Sequence, residues 1–360
     1  MAVIGNRVIV QNGIPIPISL PFLKLRSNSK TINFQSNVHY HYNLPLTPFS
    51  CVAKSTAVSG GVSTTPTTTS GWSEFARNVS GEWDGFGADF TPQGSPIELP
   101  ESVVPEAFRE WEVKVYDWQT QCPTLAQPED LLLTQKTIKL LPTVGCEADA
   151  ATRYTIDERS VGSADNKVYA FAYQSNGCYV AVWPIEKQLE VEHCLINPQD
   201  RESRVRIIQV IQADNAKMIL KNIRVFVEHW YGPFRDGDQL GGCAILNSAF
   251  ASTAALEASQ IVGHWQGSRG VANFCTSQTG FLQELKGNSV QKLVRDDRDL
   301  ILLPKQLWCS LKVSKDGETC CEVGWLFDHG CAVTSRCIFS SNAKLKEISI
   351  AGETATSQGV

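Results

Sequence analysis

The chain has 360 residues, of which 42% are hydrophobic and 19% are charged, a composition typical of a folded protein with a buried core. Its length exceeds that of one ordinary domain and predicts about two. No apolar run approaches the ~20 residues that a helix needs to span a bilayer, so we expect a soluble protein without a transmembrane segment.

Acidic residues are distributed unevenly along the chain. All 37 aspartates and glutamates lie at Glu74 or later, where 27 of the 32 basic residues also lie, so this body carries a net charge of −10. A negative surface repels phosphate backbones, which disfavours nucleic-acid binding. The segment Ser203–Arg206 is the best candidate for a local basic patch, and a solvated strand face is its alternative interpretation.

Residues 1–53 are predicted to be a chloroplast transit peptide, because they lack acidic residues and are rich in Ser, Thr, Asn and Pro. Three prolines within Ile14–Leu23 argue against a secretory signal, and Arg7 and Arg26 are too few arginines for a mitochondrial presequence. The Thr/Ser/Gly-rich residues 54–71 predict a flexible arm. We therefore expect a chloroplast protein, in the stroma or associated with the thylakoid.

The twelve cysteines show no pattern of a disulfide framework or a metal site. No C-x-x-C pair occurs, and in a reduced stroma we expect most of them to be buried thiols that pack as small hydrophobes. The densest group begins at Cys320-Cys321 and lacks the knuckle spacing of zinc sites, with His329 as its nearby histidine. No metal is predicted.

Alternating apolar and polar residues predict a body made of short strands, with short helices at Val104–Glu110 and Ser248–Ser259. The turn Ser175–Gly177 lies between Lys167–Tyr173 and Tyr179–Trp183, which predicts a β-hairpin. Further strands are predicted at Leu189–Leu195, Ile219–Val227, Leu307–Val313, Glu322–Phe327, Ala332–Phe339 and Leu345–Ile350. Many short strands with few helices indicate a barrel or a sandwich.

A G-x-W-x-G motif occurs twice, at Gly81–Gly85 and again 182 residues later at Gly263–Gly267. Glycines on both sides of a tryptophan permit a bent first strand, and the indole ring can then plug the end of a small antiparallel barrel. Each copy is followed by roughly eight predicted strands, a number that suits a barrel filled by side chains or by one small ligand.

Short motifs near both ends of the body resemble a known family. They are Trp72–Asn78, Gly81–Gly85, Phe90–Gly94, Leu300–Pro304 and Val323–Leu326, with Arg336 after them. They resemble the opening and the second conserved block of a calycin-like family of cyanobacterial and plastid proteins, defined as a domain of unknown function, DUF3598. The resemblance covers about residues 72–350 of the chain.

The resemblance implies a barrel fold that is distantly similar to lipocalins and to the S-type phycobilin lyases, which are calycin barrels that hold bilins. The glycine-flanked tryptophan is also similar to the opening of haem-binding nitrobindin barrels. Calycins often stack an arginine of a late strand across this tryptophan. The resemblance therefore implies that Arg336 lies over Trp265, and that Arg204 or Arg206 lies over Trp83, in a cation–π contact.

The repeat and the resemblance together predict an all-β body of two calycin-like, or lipocalin-like, antiparallel β-barrels with few short helices. The N-terminal barrel is predicted at 72–240 and the C-terminal barrel at 258–350, joined by a linker helix at 241–257. Residues 351–360 are predicted to be a disordered tail.

Aromatic residues of the predicted hairpin are the candidate ligand contacts, because small-molecule sites are mostly apolar and aromatic. They are Tyr169, Tyr173, Tyr179 and Trp183, and ordinary core packing is the alternative. His229 ends a long strand, where its imidazole would meet a haem or tetrapyrrole at a barrel mouth, unless it is an ordinary strand end. His193, on an apolar strand face, is predicted to be a hydrogen-bonded core histidine.

No complete catalytic motif occurs, neither a G-x-S-x-G elbow nor a phosphate-binding loop, so no catalytic residue is predicted and no cofactor is identified. The leading hypothesis is a plastid protein that binds a hydrophobic or tetrapyrrole-like small molecule. The alternatives are a non-catalytic assembly factor for a plastid, for example photosynthetic, complex and a chromophore lyase or isomerase.

Overall fold

The computed structural model describes residues 71–144, 152–164, 167–214, 217–238, 249–275, 280–328 and 330–356. The predicted transit peptide and arm lie outside the described residues, apart from Gly71, which begins the first helix. The described chain is an all-β body of two barrel-like sheets, as the sequence predicted. Among the described residues, no helix has the length and apolar character needed to cross a bilayer.

The first sheet contains most of the N-terminal strands and one strand from the C-terminal part. Its strands are β1 (Glu82–Phe90), β2 (Asp117–Gln121), β3 (Thr124–Gln127), β4 (Leu132–Leu140), β5 (Arg153–Val161), β6 (Ala170–Tyr173), β7 (Tyr179–Ile185), β8 (Gln188–Ile196), β9 (Ser203–Asp214), β10 (Lys217–Gly232) and β12 (Leu282–Glu284). They are ordered β12-β6-β7-β8-β9-β10-β1-β2-β4-β3, with β5 also paired to β4. Every pairing is antiparallel except the parallel pair β12–β6.

The second sheet is antiparallel throughout. Its strands are β11 (Gly263–Asn273), β13 (Lys286–Arg295), β14 (Leu300–Leu303), β15 (Leu307–Val313), β16 (Thr319–Asp328), β17 (Cys331–Phe339) and β18 (Leu345–Ala355). They are ordered β13-β11-β18-β17-β16-β15-β14. In each sheet the strand of the G-x-W-x-G motif, β1 or β11, therefore lies beside the last strand of its own half, β10 or β18.

The first sheet curls so that strands far apart in its order face each other. The Arg206 guanidinium on β9 donates to the Thr137 hydroxyl on β4 across 3.1 Å. The Tyr179 hydroxyl oxygen on β7 lies 2.8 Å from the side-chain oxygen of Gln135, also on β4. These contacts lie on one face of the sheet, which we call the inner face, because side chains alternate between the two faces of a strand.

Helix α1 (Gly71–Val79) packs against the inner face of the first sheet, and a second helix, α2 (Glu106–Glu110), lies between β1 and β2. The buried side of α1 carries Trp72 and Phe75, which lie in one cluster with Phe171 and Tyr179 of the sheet. α2 occupies the second half of the helix predicted at 104–110.

The opposite, outer face of the first sheet packs against the second sheet. One continuous hydrophobic cluster includes Val205, Ile207, Ile223 and Val225 from the first sheet and Cys309, Cys321, Val323, Cys337, Ile348 and Ile350 from the second. Burial raises the pKa of the Cys309 thiol to about 12, and none of the described cysteines forms a disulfide. The cysteines at this interface pack as apolar side chains.

Two fully buried side chains of the first sheet, His193 and Gln209, make polar contacts across the same apolar interface. His193 on β8 is fully buried, and its Nδ1 is hydrogen-bonded to the Ser335 hydroxyl on β17 at 2.7 Å. The Gln209 amide on β9 donates to the carbonyl of Ser310 on β15 at 3.2 Å. Because a buried polar group is stable only where its partner lies, these contacts fix the position of one sheet on the other.

Two predicted boundaries are wrong. In the described part of the predicted linker helix, residues 249–257, a short 3₁₀ turn at Phe250–Ser252 replaces the α-helix, and a second 3₁₀ turn, Ala258–Gln260, follows the linker. Phe250 lies in the core between the sheets, and Leu256 lies in a separate cluster with Trp265. Residues 250–256 therefore extend from one cluster to the other, and this tertiary packing overrides their helix propensity. The predicted tail is also too long, because β18 pairs with β11 as far as Ala355.

Candidate functional site

The inner face of the first sheet is centred on the buried carboxylate of Glu192. It accepts hydrogen bonds from the Tyr179 hydroxyl at 3.0 Å, the Trp183 indole at 3.0 Å and the Gln135 amide at 3.0 Å. The Arg206 guanidinium donates to the same carboxylate at 3.1 Å. Glu192 is therefore surrounded by donors on β4, β7 and β9, and the sequence did not identify it.

A second buried carboxylate, Glu228 on β10, joins this network to the motif tryptophan. Arg204 and Arg206 donate to Glu228 at 2.7 and 2.8 Å, and all three side chains are buried. The Arg204 guanidinium lies 4.2 Å from the ring centroid of Trp83, a cation–π contact. The solvated-face interpretation of Ser203–Arg206 is thus wrong, because each guanidinium has a carboxylate partner inside the curled sheet.

The protonation states of this network are fixed near neutral pH. Burial alone would raise the pKa of Glu192, but the Arg206 and Arg159 guanidiniums reverse this effect and hold the pKa at about 2. Burial, assisted by the Glu192 carboxylate, raises the pKa of Tyr179 well above its ordinary value. A general acid or base works best with a pKa near the operating pH, so neither group is suited to proton transfer. The network is a rigid, neutralised support.

The second sheet repeats the arrangement around its own motif tryptophan. Arg295 on β13 donates to Glu322 at 2.7 Å and to Glu353 at 2.6 Å, and its guanidinium lies 5.3 Å from the ring centroids of both Trp265 and Trp308. In the first sheet, Arg159 likewise lies 5.3 Å from Trp183 and contacts Glu190 and Glu192.

Arg336, which the resemblance implied over Trp265, instead pairs with Glu322 at 2.7 Å and with Glu353 at 3.3 Å. The cation over Trp265 is Arg295, and its strand, β13, lies directly beside β11, whereas Arg336 is on β17, separated from β11 by β18. The implied contact was assigned to the wrong strand.

The register of the strands explains the second glycine of each motif. Gly85 lies opposite Glu228, and Gly267 lies opposite Glu353. A Cβ at Gly85 would lie 1.9 Å from a carbonyl oxygen of β10, and one at Gly267 would lie 2.2 Å from a carbonyl oxygen of β18. The neighbouring strand therefore approaches too closely for any side chain at either position. Each motif tryptophan also donates its indole N–H to the backbone carbonyl four residues before it, at 2.9 Å for Trp83 and 2.7 Å for Trp265.

The five predicted ligand contacts separate into four places. Tyr179 and Trp183 meet at Glu192, whereas Tyr173 packs against α1, with its ring 5.0 Å from that of Trp72. Tyr169 precedes β6 and is 51% exposed. His229 is exposed beside Glu202, with 3.7 Å between imidazole and carboxylate, and does not line the inner face.

A cleft of about 700 Å³ opens beside the network, between β4–β5 and the end of β7. Trp183, Pro184 and Ile185 give it an apolar wall, and Arg159 and Lys167 give it positive charge. The remaining lining residues are Thr134, Gln135, Lys136, Asp157, Glu158 and Ser160. Its volume lies within the range of sites that hold small organic molecules, about 300–1,000 Å³.

The cations of the cleft differ in their partners. Arg159 is nearly buried and pairs with Glu190 at 2.6 Å and Asp157 at 2.8 Å, and Lys136 pairs with Asp236 at 2.8 Å. Lys167 is exposed and makes no ion pair with any residue that the structure describes. Across the described ranges, no group of three or more His, Cys, Asp and Glu side chains is placed to hold a metal ion; His329 lies outside those ranges.

No protein-family model matches the chain, and no curated protein matches it. Among solved structures, the chain is similar to a protein of unknown function from the DUF3598 family of Nostoc punctiforme, at 12% identity over 79% of this chain and 99% of the other, with a TM-score of 0.48. It is also similar to the S-type phycobiliprotein lyase CPES of Guillardia theta, at 9% identity over 46% of this chain and 98% of the lyase, with a TM-score of 0.26. Both likenesses agree with the resemblance seen in the sequence, and neither says what this chain binds.

Proposed function

We propose that the protein binds a small amphipathic molecule in the cleft between β4–β5 and β7, and that it does so without catalysing a reaction on it. The observation that carries the proposal is the cleft itself, which combines a volume of about 700 Å³ with an apolar wall and a charged rim of three cations and two carboxylates. The support for binding rather than proton-transfer chemistry is the network behind it, whose carboxylate Glu192 has a pKa of about 2.

The ligand is expected to lie at the opening of the curled sheet rather than deep inside it. The inner face is filled by large side chains that are fully buried, among them Trp83, Arg204, Arg206 and Tyr179. A lipocalin-like interior cavity would require this charged cluster to be displaced, leaving buried charges without partners. The cleft requires no such displacement, because Trp183 and Ile185 already face it.

The chemistry of the cleft favours a ligand with a flat apolar part and one or more carboxylates. The Trp183–Ile185 wall would cover the apolar part, and Lys167, which has no described partner, would meet a carboxylate. Arg159 already faces three carboxylates, so it would orient the Trp183 ring rather than bind the ligand. A linear tetrapyrrole with propionate groups has this combination of surfaces.

Titration of the purified protein with biliverdin tests the proposal, with absorbance and induced circular dichroism of the pigment as signals. Biliverdin dimethyl ester is the matched ligand, because it keeps the apolar part and lacks the carboxylates. We expect saturable binding of biliverdin and at least tenfold weaker binding of the ester. Equal binding of the two, or no induced signal, would contradict the assignment of the ligand class.

Variants locate the binding to the cleft. Lys167→Glu reverses the charge of the rim, and Ile185→Asp places a carboxylate on the apolar wall, where the side chain is 42% exposed. Each is expected to weaken biliverdin binding at least tenfold. Lys315→Glu and Val313→Asp are the matched controls, because they make the same kinds of change at exposed positions of the second sheet. If the control variants bound biliverdin as weakly as the cleft variants do, the binding site would lie elsewhere.

We also propose that the protein works in the chloroplast, on the composition of residues 1–53. Fusing residues 1–73 to a fluorescent protein and imaging it in plant cells tests this. Mass spectrometry of molecules that copurify with the protein from plastids would then identify the natural ligand. A cytosolic fusion, or a protein that copurifies with no pigment or lipid, would count against the respective part of the proposal.

A further inference from the structure

The connection between β1 and β2 carries an exposed aromatic side chain that the binding cleft does not use. Trp111 follows α2 and is 62% exposed, and Val113 beside it is 46% exposed. Exposed single hydrophobic residues are ordinary, but tryptophan is the residue type most enriched among the anchors of protein interfaces.

Backbone hydrogen bonds close the chain around Trp111. The Glu112 amide donates to the Arg109 carbonyl at 3.1 Å, and the Val113 amide donates to the Phe108 carbonyl at 2.8 Å. This pair of bonds is the Schellman motif of a helix end, with Glu112 in the left-handed conformation, at φ 55°, that glycine usually occupies. The Phe108 ring lies 6.2 Å from the Trp111 ring. The backbone that carries the indole is thus held in place while the ring remains exposed, so binding would cost little ordering of the main chain.

The segment of the chain that carries Trp111 is predominantly acidic. Residues 97–114 contain five glutamates against Arg109 and Lys114, a net charge of −3. Lys114 is engaged with Glu98 at 3.5 Å, and the glutamates at 101, 106, 110 and 112 are exposed. An exposed tryptophan within a carboxylate-rich surface has the anatomy of an apolar anchor with a charged rim.

We propose that residues 97–114, which we call the Trp111 surface, dock onto a basic face of a partner protein, with Trp111 filling an apolar pocket there. Charge decides between the possible occupants. A second copy of this chain would bring the same carboxylates on a body of net charge −10, and nucleic acids and anionic membranes would also be repelled. A protein face with lysines and arginines around an apolar pocket complements both features.

Selection from a random peptide display library tests this, because the library samples basic and non-basic sequences alike. The full chain is the bait, and Trp111→Ala is the counter-selection bait. Because Trp111 is largely exposed, this variant is expected to keep the wild-type melting temperature. The expected result is enrichment of peptides that place lysine or arginine next to an apolar residue. No enrichment over the counter-selection, or enrichment of peptides without basic residues, would overturn the proposal.

One selected peptide, labelled with a fluorophore, then measures the contributions of anchor and rim by anisotropy. Trp111→Ala is expected to weaken binding at least tenfold, and the combined variant Glu106→Gln, Glu110→Gln, Glu112→Gln at least threefold, with less dependence on salt. Tyr231→Ala is the matched control, because Tyr231 is an aromatic residue elsewhere that is 55% exposed, and it is expected to bind as the wild type does.

Two further outcomes would also overturn the proposal. One is self-association in sedimentation that Trp111→Ala abolishes, which would make a second copy the occupant. The other is binding to anionic phospholipid vesicles that depends on Trp111, which would make the occupant a membrane.

Discussion

Replacing His193 with glutamine tests the contact between the two sheets through its pH dependence. His193 is fully buried at the interface and bonded to Ser335, and burial lowers its pKa from 6.5 to about 3. In the unfolded chain the imidazole takes up a proton as the pH falls below about 6.5, whereas in the folded protein it stays neutral until about 3. The unfolded state therefore binds more protons between these values, and the folded state loses stability as the pH falls.

The size of the effect follows from the two pKa values. At 1.36 kcal/mol per pH unit, His193 removes about 2 kcal/mol from the free energy of unfolding between pH 7.5 and pH 5. His193→Gln keeps a hydrogen-bonding side chain but cannot take up this proton. We therefore expect the variant to gain about 2 kcal/mol relative to the wild type over that range, whatever its stability at pH 7.5.

Urea denaturation of both proteins at pH 7.5, 6 and 5 measures this difference. Taking the difference matters because Asp84 and Asp117, whose pKa burial raises to about 6, change stability in the opposite direction in both proteins. His264→Gln is the matched control, because His264 is exposed on β11. A free-energy difference between wild type and His193→Gln that stays constant from pH 7.5 to pH 5 would refute the assignment of His193 as a buried neutral contact.

Three further predictions concern stability, each measured by chemical denaturation. Gly85→Ala is expected to destabilise the protein by about 3 kcal/mol, because its Cβ would lie 1.9 Å from a carbonyl oxygen. The control Gly352→Ala should leave the free energy of unfolding almost unchanged, because its Cβ meets nothing within 4 Å. Similar losses of stability in the two variants would contradict the close approach at Gly85. Glu228→Gln should lower the stability by about 3 kcal/mol, because it removes the carboxylate that pairs with the buried guanidiniums of Arg204 and Arg206. The control Glu202→Gln, at an exposed position, should leave the stability almost unchanged. An equally small loss at both positions would show that these buried ion pairs are not required for stability. Asp84→Asn should stabilise the protein at pH 7.5 by up to about 3 kcal/mol, because the pKa of Asp84 is raised from 3.8 to about 6, so the charged carboxylate is disfavoured in the folded state. This gain should shrink as the pH falls below 6, and a gain independent of pH would refute the prediction.

Much of the fold could be predicted because it depends on local pattern. Alternation located β8 to within one residue at each end and the central part of β10, and the turn Ser175–Gly177 located the hairpin of β6 and β7. The G-x-W-x-G repeat identified the first strand of each half, because its second glycine, Gly85 or Gly267, meets a constraint that belongs to the motif itself, the close approach of the neighbouring strand.

The candidate site was harder to predict because alternation does not say which face of a strand is buried. Arg204 and Arg206 are two residues apart, which is the pattern of a solvated face as much as of a buried ion network. The two cases are distinguished by the carboxylates Glu192 and Glu228 on the neighbouring strands, and the sequence does not give the register of those strands. Charged pairs at this spacing within otherwise apolar strands, such as Glu190 and Glu192, were the available signal.

The segment from β11 to β13 shows why the domain boundary could not be found. β12 has three residues, too few to produce a periodic pattern, and it adds to the first sheet beside β6 in a parallel pair. Its position depends on the contact between the sheets and not on any local preference. The predicted C-terminal barrel at 258–350 thus contributes a strand to its neighbour.

The contribution of β12 to the first sheet has a consequence for the order of folding during synthesis on the ribosome. The first sheet can curl once β10 has emerged, at Gly232, but its edge partner β12 and the apolar strands that cover its outer face follow only with residues 282–355. While more than 100 further residues are synthesised, the apolar outer face of the first sheet and the unpaired edge of β6 are exposed to other nascent chains. Chaperone protection is therefore needed most in the interval between these two points, and cutting the chain at the linker would yield an N-terminal fragment that aggregates.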